Sequence, residues 1–226
     1  MPAEKIRTAA KSRTRAAKTD QTSRNTTATR ITRTKTIIKS IIKITTGTKT
    51  MEALIHSNER LDDLCRKGYR LIQDPKLFCF GIDAVLLSDY AKVKRGERAV
   101  DLCTGNGVIP ILLEAKNNGE HYSGLELQPQ CADLARRSVK YNHLEDKVTI
   151  EEGDVCNASE LFGRESVEVV TVNPPYMIGQ HGIKNADDAM TIARHEVRCT
   201  LDDIVRESAK MLKFNGRFYI QAGRDF

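Results

Sequence analysis

Arg98-Ala99-Val100-Asp101-Leu102-Cys103-Thr104-Gly105-Asn106-Gly107 is the stretch whose reading decides the fold. Its first five residues read as a buried strand, the glycine-containing run as a loop, and Val108 to Lys116 as a helix. The same strand, loop and helix unit recurs downstream. Tyr122 to Leu127 reads as a strand and Pro129 to Tyr141 as a helix with proline in its first turn. Lys147 to Glu151 is a strand followed by a short helix near Ala158 to Phe162, and Val167 to Val172 is a strongly β-prone run. Asp187 to Cys199 reads as loop then helix, and Leu201 to Leu212 as a helix. Asn215-Gly216 is a turn, and Arg217 to Gln221 a last strand. Upstream, Tyr69 to Gln73 alternates as a short strand, and Gly96 marks a turn. Asp83 is placed to cap a helix running to about Val93, with Ala84, Leu87 and Ala91 on one face. Such alternation predicts an α/β fold with a mostly parallel sheet and helices on both faces. Ligands of these sheets bind at the carboxyl ends of the strands.

The charge is divided unevenly. The 226 residues carry a net +6, yet residues 1–50 alone hold 13 Lys/Arg against 2 Asp/Glu. The remainder holds 23 against 28, so the patterned part is mildly acidic. Residues 1–50 contain 14 Thr and little apolar periodicity, which predicts a disordered basic extension. Three origins compete: an RNA-binding tail, a transit peptide, or translation upstream of a true start at Met51. The abrupt onset of patterning after Met51 favours the last. No apolar run is long enough to cross a membrane. The six cysteines lie scattered without a C-x-x-C pair, so neither a metal site nor a disulfide framework is expected.

The strand ends carry the chemistry. Gly105 and Gly107 let the loop approach a ligand closely, but Pro110 stands where a dinucleotide fingerprint needs its third glycine. Glu126 ends the second core strand at a spacing suited to a ribose hydroxyl pair, and Asp154 ends the third where it can meet an adenine amine. After the fourth strand comes Asn173-Pro174-Pro175-Tyr176. Two prolines stiffen the turn, so the Asn173 side-chain oxygen and the Pro174 carbonyl form a fixed pair of acceptors for a planar NH2 group, while Tyr176 offers a ring for stacking.

Together these residues resemble the motifs of class I S-adenosylmethionine-dependent methyltransferases that act on planar amines. Glu59 to Leu64, Gln73-Asp74-Pro75, Phe78 to Ala84 and Ala193-Arg194-His195-Glu196 are similar to segments of the bacterial tRNA(Val) adenine-N6 methyltransferase family. The resemblance implies a Rossmann-like fold with S-adenosyl-L-methionine as cofactor and a cytoplasmic enzyme. The substrate implied is an anticodon-loop adenine of tRNA, with neither metal nor membrane involved. It divides the chain into the extension 1–50, a cofactor-closing segment 51–95 and a methyltransferase core 96–226. Phe80 and Gly81 then close over the cofactor. Asp101, Thr104, Gly105, Asn106 and Gly107 wrap its methionine part. Glu126 holds the ribose, Asp154 with its neighbour Val155 holds the adenine, and Leu127 belongs to the same cofactor-binding set. Asn173 and Pro174, with Pro175 and Tyr176, grip and stack the target base. Cys103 replaces a common glycine and is read as a tolerated small residue, and His195 as structural or substrate-side. The resemblance implies seven strands where five are countable, so the last two are expected to be missing through truncation. Two alternatives stand: methylation of another planar amine, such as guanine N2 in ribosomal RNA or a protein glutamine, and a non-catalytic fragment that binds cofactor or RNA.

Overall fold

In the computed structural model, residues 51–77, 79–174 and 199–221 are described. The calls on 1–50, Phe78, Pro175, Tyr176 and the stretch around His195 lie outside these residues. A five-stranded sheet runs β5-β4-β3-β6-β7, with every neighbour parallel. Its strands are β3 (Arg98–Leu102), β4 (His121–Glu126), β5 (Val148–Glu152), β6 (Val167–Val172) and β7 (Leu212–Ile220). A separate antiparallel hairpin, β1 (Arg60–Asp63) and β2 (Arg70–Gln73), precedes them. The helices are α1 (Ile82–Tyr90), α2 (Val108–Lys116), α3 (Pro129–Tyr141), α4 (Ala158–Phe162) and α5 (Leu201–Met211).

Parallel strands need helical crossovers, and these cover both faces of the sheet. Ala99 and Val169 point into one core with Leu87, Ile111, Ala135 and Val139 from α1, α2 and α3. Val100, Leu102, Val170 and Val172 point into the other, with Ala158 of α4 and Ile204 and Met211 of α5. The period-two alternation of strands thus sends neighbouring residues to different cores. Strand order reverses between β4-β3 and β6, which opens a crevice at the carboxyl ends of β3 and β6.

The hairpin is held by α3. Ser138 accepts from the Ile72 N–H at 3.0 Å, and Asn142 exchanges hydrogen bonds with the Arg70 backbone. Arg137 pairs with Glu59 in a two-pronged contact, at 2.6 and 2.7 Å, and donates to the Leu54 carbonyl.

Several boundaries differ from the sequence reading. Asp83 does not cap α1: the cap position is Gly81 with extended backbone, and Asp83 sits inside the first turn, where its charge suits the helix dipole. That helix stops at Tyr90, because Ala91 turns extended and donates back to the Leu87 carbonyl. The strand read from Tyr69 begins at Arg70. β4 begins at His121, one residue before Tyr122, and ends at Glu126, while β5 runs from Val148 to Glu152 rather than from Lys147. β1 carries no clear alternation and was not marked as a strand.

The largest difference is at β7, which follows α5 without a loop and starts at Leu212. The turn read at Asn215-Gly216 exists as an excursion inside the strand. Asn215 is left-handed at φ 63°, and Val167 pairs Leu212 while Val169 pairs Arg217. Extra residues on β7 are therefore looped out, as in an enlarged β-bulge.

Candidate functional site

The crevice gathers most of the predicted residues. Asp101, Thr104, Asn106 and Glu126 are buried polar side chains around the loop after β3. Cys103, Gly105 and Gly107 take positive φ of 57°, 59° and 79°, which folds the chain sharply back. Cys103 is thus a non-glycine residue in a glycine-favouring conformation, which accounts for glycine being common there. The loop lies tight on its neighbours. A Cβ on Gly124 of β4 would meet Thr104 at 2.8 Å and Ile150 at 2.9 Å, and one on Gly107 would meet Ala135 of α3 at 2.9 Å.

Glu126 secures the loop from the sheet side. One carboxylate oxygen accepts from the Gly105 N–H at 2.7 Å and the other from the Gln128 N–H at 2.9 Å. Burial raises its pKa, and the N–H groups of Gln128, Gly105 and Leu127 offset part of that rise. Asp101 is more strained electrostatically. Thr171 of β6 donates to one oxygen at 2.6 Å, while the other oxygen has no partner among the described residues. Burial lifts this carboxyl to about 7, the Thr104 and Thr171 hydroxyls pull it down, and the charge of Glu126 adds to the rise. The buried Thr104 hydroxyl lies near enough to Asp101 to lower its pKa but completes no well-formed hydrogen bond among the described residues, and the buried Asn173 side-chain oxygen has none there either. Buried polar atoms without partners are costly. Two unpaired acceptors and a hydroxyl in one crevice suit a ligand that brings hydrogen-bond donors.

The remaining predicted residues fall around this centre. Asn173 and Pro174 follow β6 directly, with Pro174 buried. Leu127 is 42% exposed at the end of β4, an apolar surface beside Glu126. Asp154 is engaged locally, accepting from the Cys156 N–H at 2.9 Å as the cap of a short helical turn. The Val155 side chain is buried in the second core, so only its backbone is left to face a ligand. Phe80 packs on the first core, and Gly81 starts α1.

The sequence reading gave no role to three features of this neighbourhood. Gln73 of β2 is buried and accepts from the Asn106 amide at 3.0 Å and from the Phe80 N–H at 3.2 Å. Thr171 holds Asp101. Cys199, directly before α5, lies against Cys103; that neighbour and burial hold the Cys103 thiol well above its ordinary range, which keeps it protonated and poorly nucleophilic. Both thiols are free. A polar residue closing an alternating strand, in the family-like segment Gln73-Asp74-Pro75, was the available signal for Gln73; the other two depend on contacts distant in sequence. Among the described residues no cluster of potential metal ligands occurs, and no helix is long and apolar enough to cross a membrane.

Comparison with known proteins places these features in a family. A family model described as "Methyltransferase small domain" matches residues 69–225. A tRNA1(Val) (adenine(37)-N6)-methyltransferase of Porphyromonas gingivalis is 26% identical over 151 residues, covering 64% of this chain and 58% of that protein. A protein of the same name from Bacteroides thetaiotaomicron is 27% identical over 157 residues, covering 68% and 63%. The chain therefore spans about three fifths of the length of these curated relatives. Among solved structures, a geranyl diphosphate C-methyltransferase from Streptomyces coelicolor aligns with a TM-score of 0.48 at 18% identity, over 62% of this chain and 43% of that one.

Proposed function

The chain belongs to the methyltransferase small domain family, and from that premise we propose that it transfers a methyl group from S-adenosyl-L-methionine to the exocyclic N6 amine of an adenine in tRNA. The observation that carries this reading is the buried side-chain oxygen of Asn173, without a partner among the described residues and next to Pro174 at the end of β6. The relatives named as tRNA adenine-N6 methyltransferases support the choice of base. A cytoplasmic location is part of the same proposal.

The residues fit the cofactor. Its ammonium would supply donors for the oxygen of Asp101 that has no partner among the described residues, and its ribose hydroxyls would donate to the remaining lone pairs of the Glu126 carboxylate, which keeps its bonds from Gly105 and Gln128. Leu127 offers an apolar surface to the adenine, with Asp154 and Val155 beside it. The cofactor contributes an electrophilic sulfonium methyl group. The chain contributes position. Asn173 and the Pro174 carbonyl accept the two amine hydrogens, hold the nitrogen lone pair toward the methyl group and stabilise charge growing on nitrogen. Tyr176 stacks on the base, and Pro175 stiffens the turn that presents it. No covalent enzyme intermediate is needed, in keeping with the protonated Cys103. The amine proton leaves to solvent after transfer. Residues 51–95 close the cofactor side, 96–226 form the core and 1–50 an extension.

The test is methyl transfer from labelled cofactor to unmodified bulk tRNA, with products identified by nucleoside mass spectrometry. Asn173→Ala is expected to lower kcat by about a hundredfold or more, as for loss of a transition-state hydrogen bond, while cofactor affinity holds. Product from a nucleoside other than adenine, or full activity in the variant, overturns the reading.

A further inference from the structure

Asn106 sits between two glycines in the loop after β3, and both glycines have positive φ. Such a segment has no intrinsic stiffness, because glycine gains most from unfolding. Backbone bonds hold its ends, from the Thr104 N–H to the Leu125 carbonyl at 2.9 Å and from the Gly107 N–H to the Thr104 carbonyl at 3.0 Å, and side chains outside it hold its middle. Glu126 does so from β4, through Gly105. The second restraint comes from the hairpin. Gln73, 1% exposed, accepts from the Asn106 amide at 3.0 Å and from the Phe80 N–H at 3.2 Å with the same oxygen, and donates from its nitrogen to Asp62 of β1. The amide orientation is chemically forced. A backbone N–H must meet the oxygen, and a carboxylate must meet the NH2. Asp62 is steadied by Arg60, whose Nε lies 3.1 Å from both of its oxygens. The strand carrying Gln73 is itself pinned to α3 through Ser138 and Asn142.

We infer that Gln73 is a positioning residue for the cofactor: one side chain sets both the loop, through Asn106, and the Phe80 segment, at the spacing the bound cofactor requires. This rests on the cofactor reading above. The direction of the Gln73–Asp62 hydrogen bond gives a test that packing alone would not satisfy. Gln73→Glu keeps the two accepting contacts but turns an acceptor toward Asp62. Adding Asp62→Asn reverses the polarity of that pair and restores a donor, while Arg60 keeps the remaining amide oxygen as its acceptor.

The experiment is calorimetric titration of the full chain with S-adenosylhomocysteine, beside cofactor-free melting curves. Gln73→Glu is expected to weaken binding by about tenfold or more, the loss typical when two acceptors face each other out of water. The double variant is expected to return to within about threefold of wild type. In turnover, Gln73→Glu is expected to raise KM for the cofactor more than it lowers kcat at saturation. Wild-type affinity in Gln73→Glu overturns the inference, as does a double variant no tighter than Gln73→Glu. So does failure of both variants to fold, which would make the contact structural only. Wild-type protein that binds no cofactor removes the preceding reading and this one together, whereas insensitivity at Gln73 with intact wild-type binding removes this one alone.

Discussion

Replacing Asp101 by asparagine is expected to stabilise the cofactor-free protein while damaging its site. The carboxyl is fully buried, its partner Thr171 satisfies one oxygen, and the other oxygen has no partner among the described residues. Burial raises it from an ordinary 3.8 to about 7. The sign follows from linkage. An acid whose folded pKa lies above its unfolded one favours folding only while protonated, so its contribution is fullest below about pH 4 and is lost as pH rises through 7. Three units of rise correspond to about 4 kcal/mol as an upper bound. Relaxation around a buried charge brings a realistic figure to about 2 kcal/mol. An amide keeps an acceptor for Thr171 and presents donors toward the unpartnered Thr104 hydroxyl. For a folded unit of this size, 2 kcal/mol is about 4–8 °C in Tm. Melting curves of Asp101→Asn and wild type, taken without cofactor between pH 4.5 and 8.5, check this. The variant's advantage is expected to be largest at pH 8 and to shrink steadily toward pH 4.5, while its affinity for S-adenosylhomocysteine falls at least about tenfold through loss of the charge facing the ammonium. Equal Tm values at pH 8, or an advantage that does not change with pH, refute the reasoning.

Three further predictions test the scaffold. Arg137→Ala removes the partner of Glu59, whose side chain is 4% exposed, and is expected to cost about 3 kcal/mol and speed proteolytic cleavage before β1; denaturant melts and timed digestion check this. Gly124→Ala drives a Cβ into Thr104 and Ile150, so it is expected to cost about 1–3 kcal/mol and to weaken cofactor binding beyond that loss, read by melting and calorimetry on the same samples. Burial pushes Glu207 up, but Lys210 and the Ser159 N–H outweigh it and hold the carboxyl at about 2. Glu207→Gln is therefore expected to cost about 1–3 kcal/mol at pH 7, with the gap to wild type closing as pH falls from about 4.5 toward 2 in acid denaturation.

How much of this was legible depended on the range of the interaction. The run from Arg98 to Gly107 contains its own evidence: a short apolar strand around Val100, then glycines where the chain must reverse. The order of strands and helices followed from such local signals. β1 was not legible, because Arg60-Leu61-Asp62-Asp63 has no alternating face and forms a strand only against β2. The start of β7 was hidden for a similar reason. Asn215 and Gly216 announce a turn, yet pairing with β6 resumes beyond it and absorbs the turn as a bulge. In the site, Glu126 and Asn173 were marked by their place at strand ends, and Asp101 by the resemblance to the methyltransferases. Gln73 and Thr171 were not, because their roles exist only once segments distant in sequence have met.

The sheet's connectivity also governs when the crevice can exist. Asp101 and Thr171 are 70 positions apart, Gln73 and Asn106 are 33, and Gly105 and Glu126 are 21. Contacts of such separation close late, because each must first overcome the entropy of its intervening chain. A partly folded chain with only β3 and β4 paired holds Glu126 on Gly105 but lacks Thr171 and Asn173. Ligand capture thus reports completed assembly, and a bound molecule acts as a latch that slows unfolding and leaves the folding rate nearly unchanged. A chain interrupted before β6 carries the glycine loop without the pocket it serves.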